Sequence, residues 1–139
     1  MPSKLPYLSS VLQVERVEGL SDPRVADYWN VRDPDLCREL GLFMAEGRLN
    51  VQRLLEGGRY PVRSLFLTEA GLSAMRPVLE AHACALPIYV TDGSVMNEIV
   101  GYNMHRGCLA AGVRGAMPRA RESYARTESG PRLWVGLEE

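Results

Sequence analysis

The sequence predicts an α/β fold in three layers, an α/β/α sandwich around a four-stranded sheet. Short apolar segments that resemble strands alternate with segments of helical periodicity in the order β-α-β-α-β-α-β. The predicted strands are nearly continuous in apolar residues, as expected of a sheet that helices cover on its faces. The chain has 139 residues, of which 46% are hydrophobic, and this is enough for one buried core.

Each predicted element is marked by its own residues. Two short helices come first, and each begins at an Asp-Pro pair that suits a helix start, Asp22-Pro23 and Asp33-Pro34. Pro77 is expected to bend or restart the helix in which it lies. The predicted strands are 42–45, 62–68, 87–90 and 108–111, and the predicted helices between them are 49–56, 70–83 and 94–100.

These elements form a predicted domain at residues 21–114, and three further regions flank it. Residues 1–20 lack a clear period and are predicted to form an extended N-terminal arm. Residues 115–132 are rich in Arg, Gly and Pro and resemble a linker. The apolar segment within 133–139 resembles the first strand of a further domain, which suggests a longer protein. The alternative is that this segment packs on the edge of the same sheet.

Composition excludes several classes of function. No apolar segment approaches the ~18 residues of a membrane span, and no secretory signal or pair of closely spaced cysteines is present. We therefore expect a cytoplasmic protein without membrane or metal partners. The net charge is −1, but residues 101–132 carry six Arg against Glu122 and Glu128, and 15 of the 16 basic residues are Arg. This bias is compatible with nucleic-acid binding, and GC-rich coding alone also explains it.

The first candidate contact site lies where the first predicted strand meets the first long helix. Gly47 occupies this turn, and backbone N–H groups at a helix start can bind an anion. Arg48 and Asn50 flank the turn and add a charge and an amide. The alternative is that Glu46 and Arg48 only cap the helix and remain solvated.

The second candidate site is the loop before the last predicted strand. Asn103, His105 and Arg106 lie in this loop, and Tyr102 beside them offers a ring on which a base can stack. The alternative is an ordinary helix-to-strand turn with a polar surface. The two sites meet at one edge of the sheet if the first and last of these strands are antiparallel.

No catalytic centre is predicted from the residues. The two histidines, His82 and His105, lie in no nucleophile or metal-ligand motif, and the glycine-rich phosphate and dinucleotide loops are absent. Cys84 and Cys108 are expected in the core.

Four segments, taken together, resemble one family. LFMAEGRLNVQRLL, VRSLFLT, PIYVTDGSVMNEIVG and HRGCLAAGVR are similar to the N-terminal substrate-binding domain of SpoU-type (TrmH family) RNA 2'-O-ribose methyltransferases, and YWNVRDPDLCRELG resembles their lead-in helices. The resemblance covers about residues 21–114. It implies a mixed four-stranded sheet similar to ribosomal proteins that bind RNA kink-turns. The helix start here has fewer Asn, Glu and Lys residues than in kink-turn binders, so general RNA capture is the expectation.

The resemblance also implies a role for this chain. It would capture structured rRNA or tRNA through Gly47, Arg48, His105, Arg106 and Gly107, with Asn50 and Asn103 as weaker additions. PRLWVGLEE resembles the start of a following knotted SPOUT domain, which would bind S-adenosylmethionine, transfer the methyl group and form the homodimer. The chain itself would then hold no cofactor and be inactive alone. The alternative is a free-standing RNA-binding protein of ribosomal type without catalytic activity.

Overall fold

The computed structural model of the chain describes residues 11–31, 34–83, 85–116 and 135–136. One mixed β-sheet and the helices that flank it account for nearly all of the regular structure in these ranges. The elements in chain order are β1 (Gln13–Arg16), a 3-10 helix (Pro23–Tyr28), α1 (Pro34–Leu40), β2 (Leu42–Glu46), α2 (Arg48–Gly57), β3 (Val62–Thr68), α3 (Glu69–His82), β4 (Pro87–Thr91), α4 (Gly93–Val100) and β5 (Cys108–Val113).

The sheet has five strands among the described residues, in the order β1-β4-β3-β5-β2. β1, β4 and β3 are parallel neighbours, whereas β5 is antiparallel to both β3 and β2. The α/β class and the mixed sheet are therefore confirmed. The predicted number of four strands is wrong, because the segment before the first lead-in helix supplies a fifth.

That fifth strand, β1, lies in the region predicted as an arm, and residues 1–10 of the arm are outside the described ranges. All four of its side chains are exposed, so its sequence lacks the alternation that marks a half-buried strand. It joins the sheet through backbone pairing with β4, beginning at Gln13 opposite Pro87. Val17, directly after the strand, is buried, and its N–H donates to the carbonyl of Val90 at 2.8 Å.

Apolar side chains cover both faces of the sheet. Along β3, Leu65 and Leu67 pack with residues of α2 and α3, while Phe66 between them packs with the 3-10 helix and α4 on the opposite face. β5 follows the same alternation, with Cys108 on the first face and Leu109 on the second. The helices on both faces account for the three predicted layers.

The other element predictions agree closely with the structure, with two differences. The first lead-in helix is a 3-10 helix, whose start is capped by Asp22, which accepts a hydrogen bond from the N–H of Arg24 at 3.0 Å. α3 continues through Pro77 without a restart. Pro77 has no N–H group, so the carbonyl one turn earlier in α3 lacks its helical hydrogen bond. Pro77 is exposed, so this side of the helix faces solvent, which can hydrogen-bond to that carbonyl instead.

The predictions for the C-terminal region fall mostly outside the described residues. Of the linker predicted at 115–132, only residues 115 and 116 are described, and of the strand predicted within 133–139 only residues 135 and 136 are. These four residues belong to no helix or strand, and Val135 is exposed.

Candidate nucleic-acid interface

Strand directions bring the two candidate sites together. Because β5 is antiparallel to β2, the loop that precedes β5 lies at the edge of the sheet where β2 ends, as expected from the sequence. Glu46, the last residue of β2, is paired with Leu109 near the start of β5. We call the surface formed by residues 46–50 and 101–107 the rim.

Gly47 forms the turn between β2 and α2. Its backbone has φ 89° and ψ 154°, a combination that side-chain-bearing residues almost never adopt. Its N–H donates to the carbonyl of Cys108 at 2.9 Å, and its carbonyl accepts from the N–H of Val51 at 3.0 Å. The turn is thus fixed to β5 on one side and to α2 on the other. The first N–H groups of α2, from Arg48 onward, have no acceptor within the helix and point out of its end.

Arg106 lies directly over this turn. A Cβ atom built on Gly47 would be 3.1 Å from both Cδ and Nη1 of Arg106. Arg48, the next residue after Gly47, is exposed, and so is His105. The structure therefore brings together Arg48, His105 and Arg106 on one accessible surface. Their role in RNA binding stays a prediction.

Gly107 has a structural position at the base of the loop. It is buried with φ 59°, and its carbonyl accepts a hydrogen bond from the N–H of Thr68 at 2.9 Å. A Cβ atom here would lie 2.3 Å from Oγ1 of Thr68, and one on Gly71 would lie 2.4 Å from the carbonyl oxygen of Gly107. The loop is therefore clamped against the junction of β3 and α3, which holds the neighbouring Arg106 at the rim.

The two asparagines hold the rim together with their side-chain amides. Nδ2 of Asn50 donates to the carbonyl of Glu46 at 2.9 Å, across the turn that contains Gly47. Oδ1 of Asn103 accepts from Nδ2 of Asn97 at 3.2 Å, and Oδ1 of Asn97 accepts from the N–H of Met104 at 2.8 Å. Both asparagines therefore form hydrogen bonds within the rim, and their contact with RNA stays a prediction.

Positive charge is concentrated at the β2 and β5 half of this edge. Within the described residues Arg48 and Arg106 form no ion pair. At the other half, Arg16 pairs with Glu69 at the start of α3 and with Asp92 before α4, at 2.8 and 3.0 Å. The carboxylates that flank β3 and β4 are thus engaged by Arg16, and the unpaired guanidinium groups face solvent beside β2 and β5.

The charge of Arg48 also affects the Cys108 thiol in the core. Burial raises the pKa of the Cys108 thiol, and the nearby positive charge of Arg48 opposes part of that shift. Cys108 is buried, as predicted, and Cys84 lies outside the described residues. A raised pKa keeps the Cys108 thiol protonated at neutral pH, which agrees with a core residue rather than a nucleophile.

One pair at the rim was not predicted from the sequence. The hydroxyl group of Tyr102 donates to Oε2 of Glu46 at 3.0 Å and links the α4–β5 loop to the end of β2. The two residues are 56 positions apart, and no local pattern joins them. Only the antiparallel pairing of β2 and β5, which aligns the two loops, indicates the contact.

Two other classes of site are absent from the described ranges. No group of three His, Cys, Asp or Glu side chains there is placed to hold a metal ion. No helix there is long and apolar enough to cross a bilayer.

Solved structures of RNA methyltransferases share this fold. The chain superposes on an RNA 2'-O ribose methyltransferase with a TM-score of 0.60 and 19% identity, over 90% of this chain and 47% of that one. An rRNA methyltransferase from Sinorhizobium meliloti gives a TM-score of 0.54 with 18% identity, over 76% of this chain and 39% of that one. At these identities the similarity shows a common fold.

Sequence comparison identifies closer relatives. Uncharacterized tRNA/rRNA methyltransferases from Mycobacterium bovis and Mycobacterium tuberculosis are 34% identical to this chain over 131 aligned residues. The alignment covers 91% of this chain and 43% of theirs, and no family model matches. The chain is therefore a homologue of tRNA/rRNA methyltransferases and spans less than half of their length. The resemblance to RNA methyltransferases is confirmed.

Proposed function

We propose that this chain is the RNA-binding module of an S-adenosylmethionine-dependent rRNA or tRNA ribose 2'-O-methyltransferase. The observation that carries the proposal is the rim, where Arg106 lies over Gly47 and Arg48 begins α2 directly after it, neither of them in an ion pair among the described residues. Guanidinium groups and backbone N–H groups together bind phosphate groups well. The homology to tRNA/rRNA methyltransferases supports RNA as the polyanion.

Methyl transfer is assigned to another part of the protein. An S-adenosylmethionine-bound form of the Sinorhizobium meliloti enzyme supports this cofactor for the family. The cofactor carries a positively charged sulfonium, so the exposed arginines of the rim do not favour its binding there. We propose a following SPOUT domain of the SpoU/TrmH type, which would hold the cofactor and form the homodimer, in a cytoplasmic protein that acts on rRNA or tRNA.

The rim favours capture of folded RNA through contacts with the sugar-phosphate backbone of the RNA. Arg48 and Arg106 suit phosphates, while Asn50 already donates one amide N–H to the Glu46 carbonyl. A specific likeness to kink-turn binders is therefore not part of the proposal. Binding that depends on phosphate contacts should weaken with salt, with a log–log slope of about −0.7 per phosphate neutralised on single strands.

Replacing the two rim arginines tests the proposal. Arg48→Ala and Arg106→Ala should each weaken binding of structured tRNA and rRNA fragments by roughly 1–3 kcal/mol, the scale of a charge-assisted hydrogen bond. The salt slope should become shallower by about 0.7 per lost phosphate contact. Gel-shift titrations at two salt concentrations measure both quantities.

Two arginines at the opposite edge of the sheet serve as matched controls. Arg59 lies just after α2 and is the counterpart of Arg48, which begins that helix. Arg114 lies just after β5 and is the counterpart of Arg106, which precedes that strand. Both control residues are exposed. Arg59→Ala and Arg114→Ala should leave affinity and salt slope nearly unchanged. Equal losses at both edges would indicate nonspecific attraction, and no RNA binding at low salt would contradict the proposal.

The free-standing ribosomal-type protein remains the alternative, and it shares the rim. Methyl transfer to RNA by the complete gene product, measured with S-adenosylmethionine labelled in its methyl group, separates the two. RNA binding without any transfer would favour the alternative.

A further inference from the structure

One carboxylate lies within the otherwise cationic rim. Glu46 is exposed, directly precedes Gly47, and forms no ion pair with a basic side chain of the described residues. Arg106 covers the neighbouring Gly47, yet it does not neutralise this carboxylate. A charged carboxylate repels phosphate groups, so backbone binding gives no reason for its presence here.

The carboxylate is also fixed in place. The Tyr102 hydroxyl donates to Oε2 at 3.0 Å, and the Tyr102 ring is partly buried against the core cluster beneath α4. A side chain whose position is already fixed loses less conformational entropy when a ligand binds. Oε2 retains a second lone pair, and Oε1 has no hydrogen-bond partner among the described residues.

Glu46 and Arg48 lie on opposite sides of the turn at Gly47. Met44, on the same face of β2 as Glu46, packs with the cluster of α4, whereas α2 packs on the other face of the sheet. A phosphate held at Arg48 and the first N–H groups of α2 would thus lie on one side of the turn at Gly47, with Glu46 on the other side.

We propose that Glu46, held by Tyr102, recognises the Watson–Crick edge of an unpaired guanine. This inference rests on the proposed function and assigns it a base preference. Guanine presents two adjacent N–H donors on that edge, N1–H and the N2 amino group, which match the two oxygens of a carboxylate. Adenine and cytosine place a ring nitrogen acceptor beside their amino group, and uracil flanks its single N–H with two carbonyls, so each would bring an acceptor towards the carboxylate.

Hairpin RNAs with one common stem test this assignment. Their loops are uridine-rich and differ only in carrying adenosine, cytidine, guanosine or no other base. The full chain should bind the guanosine loop about tenfold more tightly than the others, the discrimination expected of one bidentate base contact. Glu46→Gln should abolish that preference, and Tyr102→Phe should reduce it, while the salt slope is unchanged because no phosphate contact is lost.

Glu56→Gln is the matched control. Glu56 lies in the last turn of α2, is exposed and accepts a hydrogen bond from Nε2 of Gln52 at 2.8 Å. This variant should keep the guanosine preference. Circular dichroism and urea unfolding confirm that each variant is folded.

Three results would overturn the assignment. The first is equal binding of all four loops by the unchanged protein. The second is a Glu46→Gln variant that binds every loop more tightly by the same factor, since Glu46 would then only repel phosphate. If RNA is still bound in these two cases, and Arg48→Ala still weakens binding, then the proposed function stands and only the guanine assignment fails. If none of the four RNAs binds at low salt, the assignment and the proposed function fail together.

Discussion

Replacement of Gly47 by alanine should affect stability and RNA binding by two separate routes. The first route is the backbone, because φ 89° with ψ 154° is a region populated almost only by glycine. A residue with a Cβ atom held there costs about 1–3 kcal/mol. The second route is the contact with Arg106, 3.1 Å from the new Cβ atom at Cδ and Nη1. This contact adds little to the loss of stability, because a flexible exposed side chain can move aside.

The displaced Arg106 links the substitution to function. If Arg106 contacts phosphate from its position over Gly47, then Gly47→Ala should weaken RNA binding by at most the loss seen with Arg106→Ala, roughly 1–3 kcal/mol. In the double variant the second substitution should add little to the first, because both act on one contact. Gel-shift titration gives the affinities, and urea unfolding monitored by circular dichroism gives the free energies.

Gly58 at the other end of α2 supplies the control. It also has a positive φ, 59° with ψ 8°, but an added Cβ atom would meet nothing within 4 Å. Gly58→Ala should therefore lower the free energy of unfolding by about 1 kcal/mol and leave RNA affinity unchanged. A Gly47→Ala variant as stable as the original protein, or one whose effect on RNA affinity adds fully to that of Arg106→Ala, would contradict this prediction.

Two further predictions concern the core. Val17→Ala should lower the free energy of unfolding by about 2 kcal/mol in urea titrations, since Val17 is buried where β1 joins β4; a negligible change would show that this segment is not part of the folded sheet. Burial raises the pKa of the Tyr28 hydroxyl above its ordinary value of 10.0, and the hydrogen bond to Oγ of Ser64 at 2.7 Å opposes only part of that shift. As the pH rises, the folded state therefore keeps the Tyr28 proton to a higher pH than the unfolded state does. The contribution of Tyr28 to the free energy of unfolding is complete below about pH 10 and is lost as the pH rises further. Urea unfolding at pH 8 and pH 11 should show this loss, and Tyr28→Phe should remove this part of the pH dependence.

Much of the sheet follows from local sequence patterns, and its edges do not. β3 occupies the predicted residues 62–68 because its apolar centre, Leu65 to Leu67, is buried on both faces and leaves a continuous apolar segment. β1 has only exposed side chains and is held by backbone pairing with β4, whose first paired residue is 74 positions away in the chain. Backbone pairing leaves no trace in residue type, so a short edge strand of this kind is missed.

The candidate site shows the same division. Residue type identified Arg48 and Arg106 as charges beside glycine turns, and the structure joins them at the rim. Residue type also suggested Asn50 and Asn103 as RNA contacts, which stays a prediction; what the sequence did not indicate is that Asn50 bonds to a nearby backbone carbonyl and Asn103 to the side chain of Asn97. An asparagine near a helix start or in a loop has both options. Its actual partner depends on a backbone path that the sequence alone does not specify.

The existence of the rim depends on one reversed strand. Parallel strands joined by helices place every strand end and every following helix start at one edge of the sheet, so α2, α3 and α4 all begin there. Were β5 parallel as well, the preceding loop with His105 and Arg106 would lie at the opposite edge, beside Arg59. Because β5 runs antiparallel between β3 and β2, that loop is brought to the helix starts instead. The direction of β5 therefore creates the cationic surface, and Gly107, packed against Thr68, is the residue that allows the chain to enter β5 there.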